Sequence, residues 1–421
     1  MKERRQGTKI MAFVMAGGEG KRLRPLTEHC SKPAVPFGGR YRLVDFVLSN
    51  LVNSEVRSIY LLVQYKAQSL IEHIRKSWTL SPLLPDQFVT VVPPQMHNGK
   101  GWFAGTADAV YQNLNLLKEH RPDIVAVFGA DHIYRMDIKQ MMWFHLHRHA
   151  DVSVAAIPVP LEQASDFGVI ETTDESQITA FREKPKHPKP MPRDPARAYA
   201  SMGNYLFNAD VLIDVLEKTH ARGETDFGHH VLPRLLSTHR LFAYDFSCNE
   251  VPGVKSFEEA SYWRDIGTLD AYFTAHQDVL GMEPRFDAFN PQWPIFSSNY
   301  QGPVARVIGG KIDNSLLGAA TVVNNATIRN SIIRREAVVE PDVELEDCII
   351  MDYVRICRGA RLRRVIVDRH NIIKADARIG YDAEADARHY HVTASGLVVV
   401  PAGDVGYFAR DPRRYGLAYE E

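Results

Sequence analysis

From residue 10 to about 280 the chain alternates short apolar runs with stretches of helical spacing. Residues 10–16, 58–63, 124–128, 152–158 and 204–207 are runs rich in Val, Ile, Leu and Phe, of the length expected for buried strands. Residues 69–78 and 107–118 place apolar side chains three and four apart, which predicts helices between those strands. Such alternation predicts an α/β domain with a Rossmann-like, mostly parallel sheet and flanking helices over residues 10–282. Five prolines between Pro185 and Pro195 exclude regular structure and predict a surface loop. Pro284, Pro291, Pro294 and Pro303 mark an irregular aromatic linker over 283–303.

The texture changes from Val304 onward. Paired aliphatics recur at Val307-Ile308, Leu316-Leu317, Val322-Val323, Ile332-Ile333, Val338-Val339, Ile349-Ile350, Ile366-Val367 and Ile372-Ile373, with small or polar residues between them. Brief β-branched clusters at nearly regular intervals predict a parallel β-helix over 304–400, whose coils stack their aliphatics inward, followed by a tail over 401–421. An antiparallel sandwich is the alternative, because the spacing drifts. An end coil of a β-helix would also favour self-association.

A chain of 421 residues, 45% apolar and 24% charged, can bury a large core and divides into two domains. The formal net charge of −1 gives no overall attraction to nucleic acid or an anionic membrane, so any anion site must be local. Cys30, Cys248, Cys348 and Cys357 lack metal or disulfide spacing, which fits a reducing cytoplasm. The basic start followed by residues 10–16 superficially resembles a signal peptide, but that apolar run is short and leads straight into a glycine loop. No segment approaches the length of a membrane span.

The glycine loop carries the chemistry. Gly17-Gly18-Glu19-Gly20-Lys21-Arg22-Leu23 directly follows the first strand, with Lys32-Pro33 nine residues beyond. Ligands of open α/β sheets bind at such strand ends. The glycines free backbone N–H groups to face phosphate oxygens, and Arg22 and Lys32 add fixed positive charge. A Walker loop would need Ser or Thr where Arg22 stands, and a dinucleotide loop would need Gly at Leu23, so the loop is a polyphosphate cradle of another kind, or only a tight turn.

The strand at 124–128 runs through Gly129-Ala130 to Asp131-His132. A carboxylate at that end faces the ligand crevice and suits Mg²⁺, unless Asp131 caps a following helix. Asp265 is the candidate second carboxylate. His145, His147 and His149 alternate at a spacing that does not share a helix face, so they make a poor zinc site, and His145 reads as a helix-packing residue. Lys184, after a strand-like 178–181, could meet a second phosphate or remain solvated.

At this point the chain resembles the bacterial glucose-1-phosphate adenylyltransferases, also called ADP-glucose pyrophosphorylases, essentially end to end. The resemblance rests on Gly17 to Leu23, Lys32-Pro33-Ala34-Val35, Asp45 to Asn50, Gly105-Thr106-Ala107-Asp108-Ala109-Val110, Gly129 to Tyr134, Glu183-Lys184-Pro185, Ser201-Met202-Gly203-Asn204-Tyr205 and Tyr262 to Leu269. It implies an α/β nucleotidyltransferase fold joined to a left-handed β-helix, and transfer of the adenylyl group of ATP to glucose 1-phosphate for glycogen synthesis. It also implies Mg²⁺, a homotetramer in the cytoplasm and metabolite effectors.

Residue by residue, the resemblance implies that Arg22 and Lys32 bind the triphosphate and act with Asp131 in catalysis. Gly17, Gly18, Gln64, Gln95, Phe103, Gly105, Thr106, Ala107 and Asp108 would surround ATP. Gly168, Glu183, Lys184, Ser201, Tyr205, Asp226, Phe227 and Trp263 would hold glucose 1-phosphate, and Asp131 with Asp265 the metal. Arg42, Arg361, Arg363 and Arg364 would contribute to an effector site, the last three otherwise being a solvated face. His29, Cys30, Pro36, Ala104 and the pair His229-His230 depart from the pattern of enteric relatives, so the effectors do not carry over. Two alternatives stay open: another nucleotide or sugar 1-phosphate, or a non-catalytic regulatory subunit of the same fold.

Overall fold

The computed structural model describes residues 7–81, 83–84, 86–95 and 101–404. Most of the expected tail, from residue 405, lies outside the described residues, as do the first six residues of the basic start.

The first domain is built on one nine-stranded sheet. Strands Phe88–Val92, Ser58–Leu62, Ile10–Met15 and Ile124–Gly129 lie side by side and parallel, each buried on both faces, as their continuous apolar runs predicted, apart from the half-exposed edge strand Phe88–Val92. Arg197–Asn208 then pairs antiparallel with Ile124–Gly129 and, on its other edge, with Val152–Pro160 and Gly168–Thr172. The mostly parallel sheet therefore contains two reversed strands, Arg197–Asn208 and Ile178–Glu183, the latter returning from Gly168–Thr172 by a hairpin.

The helix expected over 107–118 is two helices, Thr106–Tyr111 and Leu114–His120. Asn113 separates them, its side-chain amide donating to the Ala109 carbonyl at 2.8 Å and competing with the helical ladder. His145 packs in the interior, within hydrogen-bond reach of Ser153 Oγ (2.8 Å) and Asn208 Oδ1 (3.1 Å), as its helical position suggested. Among the described residues no helix is long and apolar enough to cross a membrane.

The second domain is a parallel β-helix, which removes the sandwich alternative. Val323, Val339, Ile356 and Ile373 stack at steps of 16 and 17 residues, and all four are buried. A second face runs through Ile328, Leu345, Leu362 and Ile379, and a third through Ile333, Ile350 and Val367. Unequal coil lengths account for the drift that the spacing shows.

The two domains share one apolar cluster, in which Ile332, Ile349 and Ile366 join Phe37, Leu269 and Phe273. The linking segment packs rather than spans open solvent. Phe286, Trp293 and Ile295 are buried, and the Trp293 indole donates to Asn50 Oδ1 at 3.2 Å on helix Leu43–Asn53.

Candidate active site

Strand Ile10–Met15 ends in the glycine loop, and Gly20 adopts a left-handed φ of 67°. A side chain there would also lie 3.1 Å from the Lys32 Cβ, so the loop can lie on the Lys32 stem only because residue 20 is glycine. Lys32 begins a short 3₁₀ turn, Lys32–Ala34, with Pro33 fixing its first positions.

From this turn the Lys32 ammonium reaches Asp131 Oδ2 at 2.6 Å and Asp265 Oδ1 at 3.5 Å. Asp131 does not cap a helix. The following strand, His132–Tyr134, pairs antiparallel with Trp263–Asp265, and the register that sets His132 opposite Asp265 brings the second carboxylate to the first. His132 Nε2 completes the group, 3.5 Å from Asp131 Oδ1 and 3.9 Å from Asp265 Oδ1. Burial by itself would raise the Asp131 carboxyl, but His132 and Lys32 beside it hold it well below the usual carboxylate range. The Arg22 guanidinium flanks the same place: a Cβ on Gly267 would be 3.6 Å from its nitrogens and 3.3 Å from Asp265 Oδ2.

Of these groups Arg22, His132 and Asp265 line a cavity of about 1180 Å³. Arg22, Gly168, Glu183, Lys184, Ser201, Tyr205, Trp263 and Asp265 all line it, together with His132 and Phe167. Gly168 and Glu183 face each other across an antiparallel ladder. Burial pushes the Tyr205 phenol well above its usual range, so Tyr205 stays neutral and can donate or accept a hydrogen bond. Phe227 lies behind the wall, buried against Tyr205 at a ring separation of 5.7 Å, and Asp226 caps the turn Phe227–Val231 by accepting from the His229 N–H at 2.9 Å.

The residues expected around a nucleotide form a second group beside the glycine loop. Gln64 lies against Gly17 and clamps Phe103, accepting from its N–H and donating to its carbonyl at 3.3 Å. A Cβ on Gly105 would stand 2.4 Å from the Thr225 carbonyl oxygen, which itself accepts from Ala107 N at 2.8 Å and Asp108 N at 3.1 Å, so no larger residue fits. Thr106 Oγ1 donates to Asp226 Oδ2 at 3.0 Å and joins this loop to the turn Phe227–Val231. The Asp108 carboxylate turns inward to the Ala104 N–H and the Gln112 amide, both at 2.8 Å. Gly18 has open space beside it, and Gln95 is exposed with its amide on the Pro93 carbonyl.

Residues 11–281 match the model of the Nucleotidyl transferase family, and residues 304–400 match the GlmU-like C-terminal hexapeptide family, whose repeats make a left-handed β-helix. A glucose-1-phosphate adenylyltransferase of Thermodesulfovibrio yellowstonii is 54% identical over 394 residues, covering 93% of this chain and 96% of that one. Proteins of the same name from Thermus thermophilus and Corynebacterium jeikeium are 45% and 44% identical, over 94% and 93% of this chain and 98% and 97% of theirs. The chain belongs to the glucose-1-phosphate adenylyltransferase family.

A second cavity, of about 800 Å³, opens between the domains. Arg40, Arg42, Lys76, Arg334, Arg335 and Arg369 line it, against the acidic Glu72 and Asp352. Arg42 lies among these basic residues, but Arg361, Arg363 and Arg364 do not join it. Arg361 and Arg363 stand on an outer β-helix face opposite Glu344 and Glu346 of the preceding coil, at 3.4 and 3.5 Å, and the Arg364 guanidinium donates to Ser395 Oγ at 3.1 Å. Cross-strand pairing gives Arg361 and Arg363 a glutamate each where they are. Sequence reading missed Arg334, Arg335 and Arg369; their only signal was basic residues just after the aliphatic clusters at 332–333 and 366–367. It also gave His132 no role, although it directly follows Asp131.

Proposed function

We propose that this chain transfers the adenylyl group of ATP to glucose 1-phosphate, giving ADP-glucose and pyrophosphate. The observation that carries the reading is the pairing of Lys32 with Asp131 and Asp265, with Arg22 flanking Asp265, beside one cavity that Arg22 and Asp265 line, so that two phosphorylated substrates can meet over compensated charge.

Two carboxylates and a neighbouring imidazole lie close enough together to share a cation, and their oxygens suit a hard one, so Asp131 and Asp265 would hold Mg²⁺. When bound, Mg²⁺ neutralises charge on phosphate oxygens. Arg22 and Lys32 bind the triphosphate and offset negative charge developing on the departing pyrophosphate. Glu183, Lys184, Ser201, Tyr205 and Trp263 hold the sugar phosphate. That phosphate is mostly a dianion at neutral pH, so it attacks the α-phosphorus without a general base, and the bond from the α-phosphorus to the pyrophosphate oxygen breaks. Catalysis is then positioning and charge compensation.

The same reading gives this chain a cytoplasmic role in glycogen synthesis, with an anionic metabolite bound in the interdomain cavity and a homotetramer as the assembly. The open end of the β-helix supports self-association. Val307, Ile312 and Leu317 stack on the buried Val323, Ile328 and Ile333, yet Val307 is 49% exposed on its outer side. Among the described residues, Arg306–Asp313 pairs on one edge only. A second copy related by a two-fold axis near Gly309-Gly310 would set Arg306 opposite Asp313 and Val307 opposite Ile312, so the strand is complementary to itself.

A pyrophosphate-release assay with each of the four nucleoside triphosphates and glucose 1-phosphate tests the activity. ATP alone should support rapid turnover; preference for another nucleotide, or binding without product, would reject the reading.

A further inference from the structure

We propose that Lys32 is the resident counter-ion of the metal seat, occupying it in the free protein and giving it up when a divalent cation and the nucleotide phosphates arrive together. This inference rests on the reading that Asp131 and Asp265 form that seat.

The Lys32 ammonium does not point into open cavity; it lies between the two carboxylates, bonded to Asp131 and within 3.5 Å of Asp265. Its residue is 9% exposed, and its stem is fixed by the proline-containing turn on one side and by Gly20 on the other. A divalent ion close enough to share oxygens of both carboxylates would stand in contact with that ammonium, and two cations in a partly buried site repel strongly. Entry of one therefore requires displacement of the other.

An ammonium that leaves Asp131 needs another anionic partner, since a buried charge without one is costly. The glycine loop supplies the place for it, because Gly20 packs directly on the Lys32 stem and the loop is where phosphate oxygens would lie. Phosphates thus draw Lys32 off the seat, and the vacated seat takes the cation. The consequence is positive coupling: a bare cation binds weakly to the free protein, and nucleotide and cation are taken up as a unit. Arg22 does not share this role. Its guanidinium flanks Asp265, but among the described residues it forms no ion pair with either carboxylate at the seat.

Mn²⁺ alone, followed by electron paramagnetic resonance on the full-length protein without nucleotide, tests the proposal. Lys32→Met should bind Mn²⁺ about tenfold more tightly than the unaltered protein, within the range of ordinary coupling between sites. Arg22→Met, which removes an equal charge from beside the same carboxylates, should change the affinity less than about threefold. Lys32→Gln, which keeps the stem and a hydrogen bond, is the second variant should Lys32→Met unfold on a melting curve, and it should bind more tightly in the same direction. Unchanged or weaker Mn²⁺ binding in the Lys32 variants, or an equal gain in Arg22→Met, overturns the displacement. Adding Asp131→Asn to Lys32→Met separates the two ideas: loss of the tight site supports the seat, whereas tight binding that survives it removes the underlying reading.

Discussion

Arg334 of the β-helix donates to the Gly38 carbonyl of the first domain at 2.7 Å. The same nitrogen also reaches the carbonyls of Phe37 and Tyr41, at 3.0 and 3.2 Å, while Nε is held by Asp352 at 2.8 Å. Arg334 is buried, so truncating it removes this donor from three carbonyls and leaves Asp352 with only the longer pair to Arg335, at 3.4 Å. Arg334→Met should cost about 3 kcal/mol or more of unfolding free energy, read from denaturant curves. Combining it with Asp352→Asn should recover part of the loss, because no uncompensated charge then remains.

Asp131→Asn keeps the shape of the side chain but not its charge, and both Lys32 and the metal seat depend on that charge. Turnover should fall about 10²-fold or more with little change in melting temperature. Near-normal turnover in a pyrophosphate assay would end the assignment of Asp131.

Gly105→Ala tests how closely the nucleotide loop lies against Thr225. The added methyl would meet the Thr225 carbonyl oxygen at 2.4 Å, so the loop must move and the Thr106 contact with Asp226 must lengthen. The KM for the nucleotide should rise about tenfold or more, and the melting temperature should fall, whereas Gly18→Ala, which adds a methyl in open space, should leave the melting temperature unchanged.

Asp368 is buried on the β-helix side of the domain junction, with Oδ1 accepting from the Arg369 N–H at 2.7 Å. Burial pushes its carboxyl up to about 6, against an ordinary value near 3.8. The folded protein therefore holds this proton more tightly than the unfolded chain. Its contribution to stability is therefore full below about pH 4 and is lost as the pH rises through about 6. The loss amounts to about 3 kcal/mol at most. Asp368→Asn should flatten this part of the stability profile between pH 4 and 6, measured by denaturant unfolding at each pH.

Arg306 and Asp313 are set to pair between copies if the first coils stack about a two-fold axis. Arg306→Asp and Asp313→Arg, made singly, should each shift the protein to a smaller species in sedimentation velocity, and the double exchange should restore the larger one. Singles that leave the assembly unchanged would remove this end from the interface.

The sequence by itself determined a great deal. Continuous apolar runs specified the strands, because strands buried on both faces need no polar alternation, and the recurring aliphatic pairs specified the β-helix, because each coil must stack the same side chains inward. The glycine loop with Arg22 and Lys32, and the carboxylate at the end of strand Ile124–Gly129, were legible because strand-end loops and charge are local features. Tertiary structure alone decided what meets what. Asp265 reaches Asp131 only through the antiparallel register of Trp263–Asp265 on His132–Tyr134. Lys32 joins them only because a glycine permits close packing. Arg42 meets Arg334, Arg335 and Arg369, rather than Arg361 and Arg363, because coil register had already given the latter two a glutamate each. Pairing across hundreds of residues depends on strand register and domain docking, and neither leaves a periodic trace along the chain.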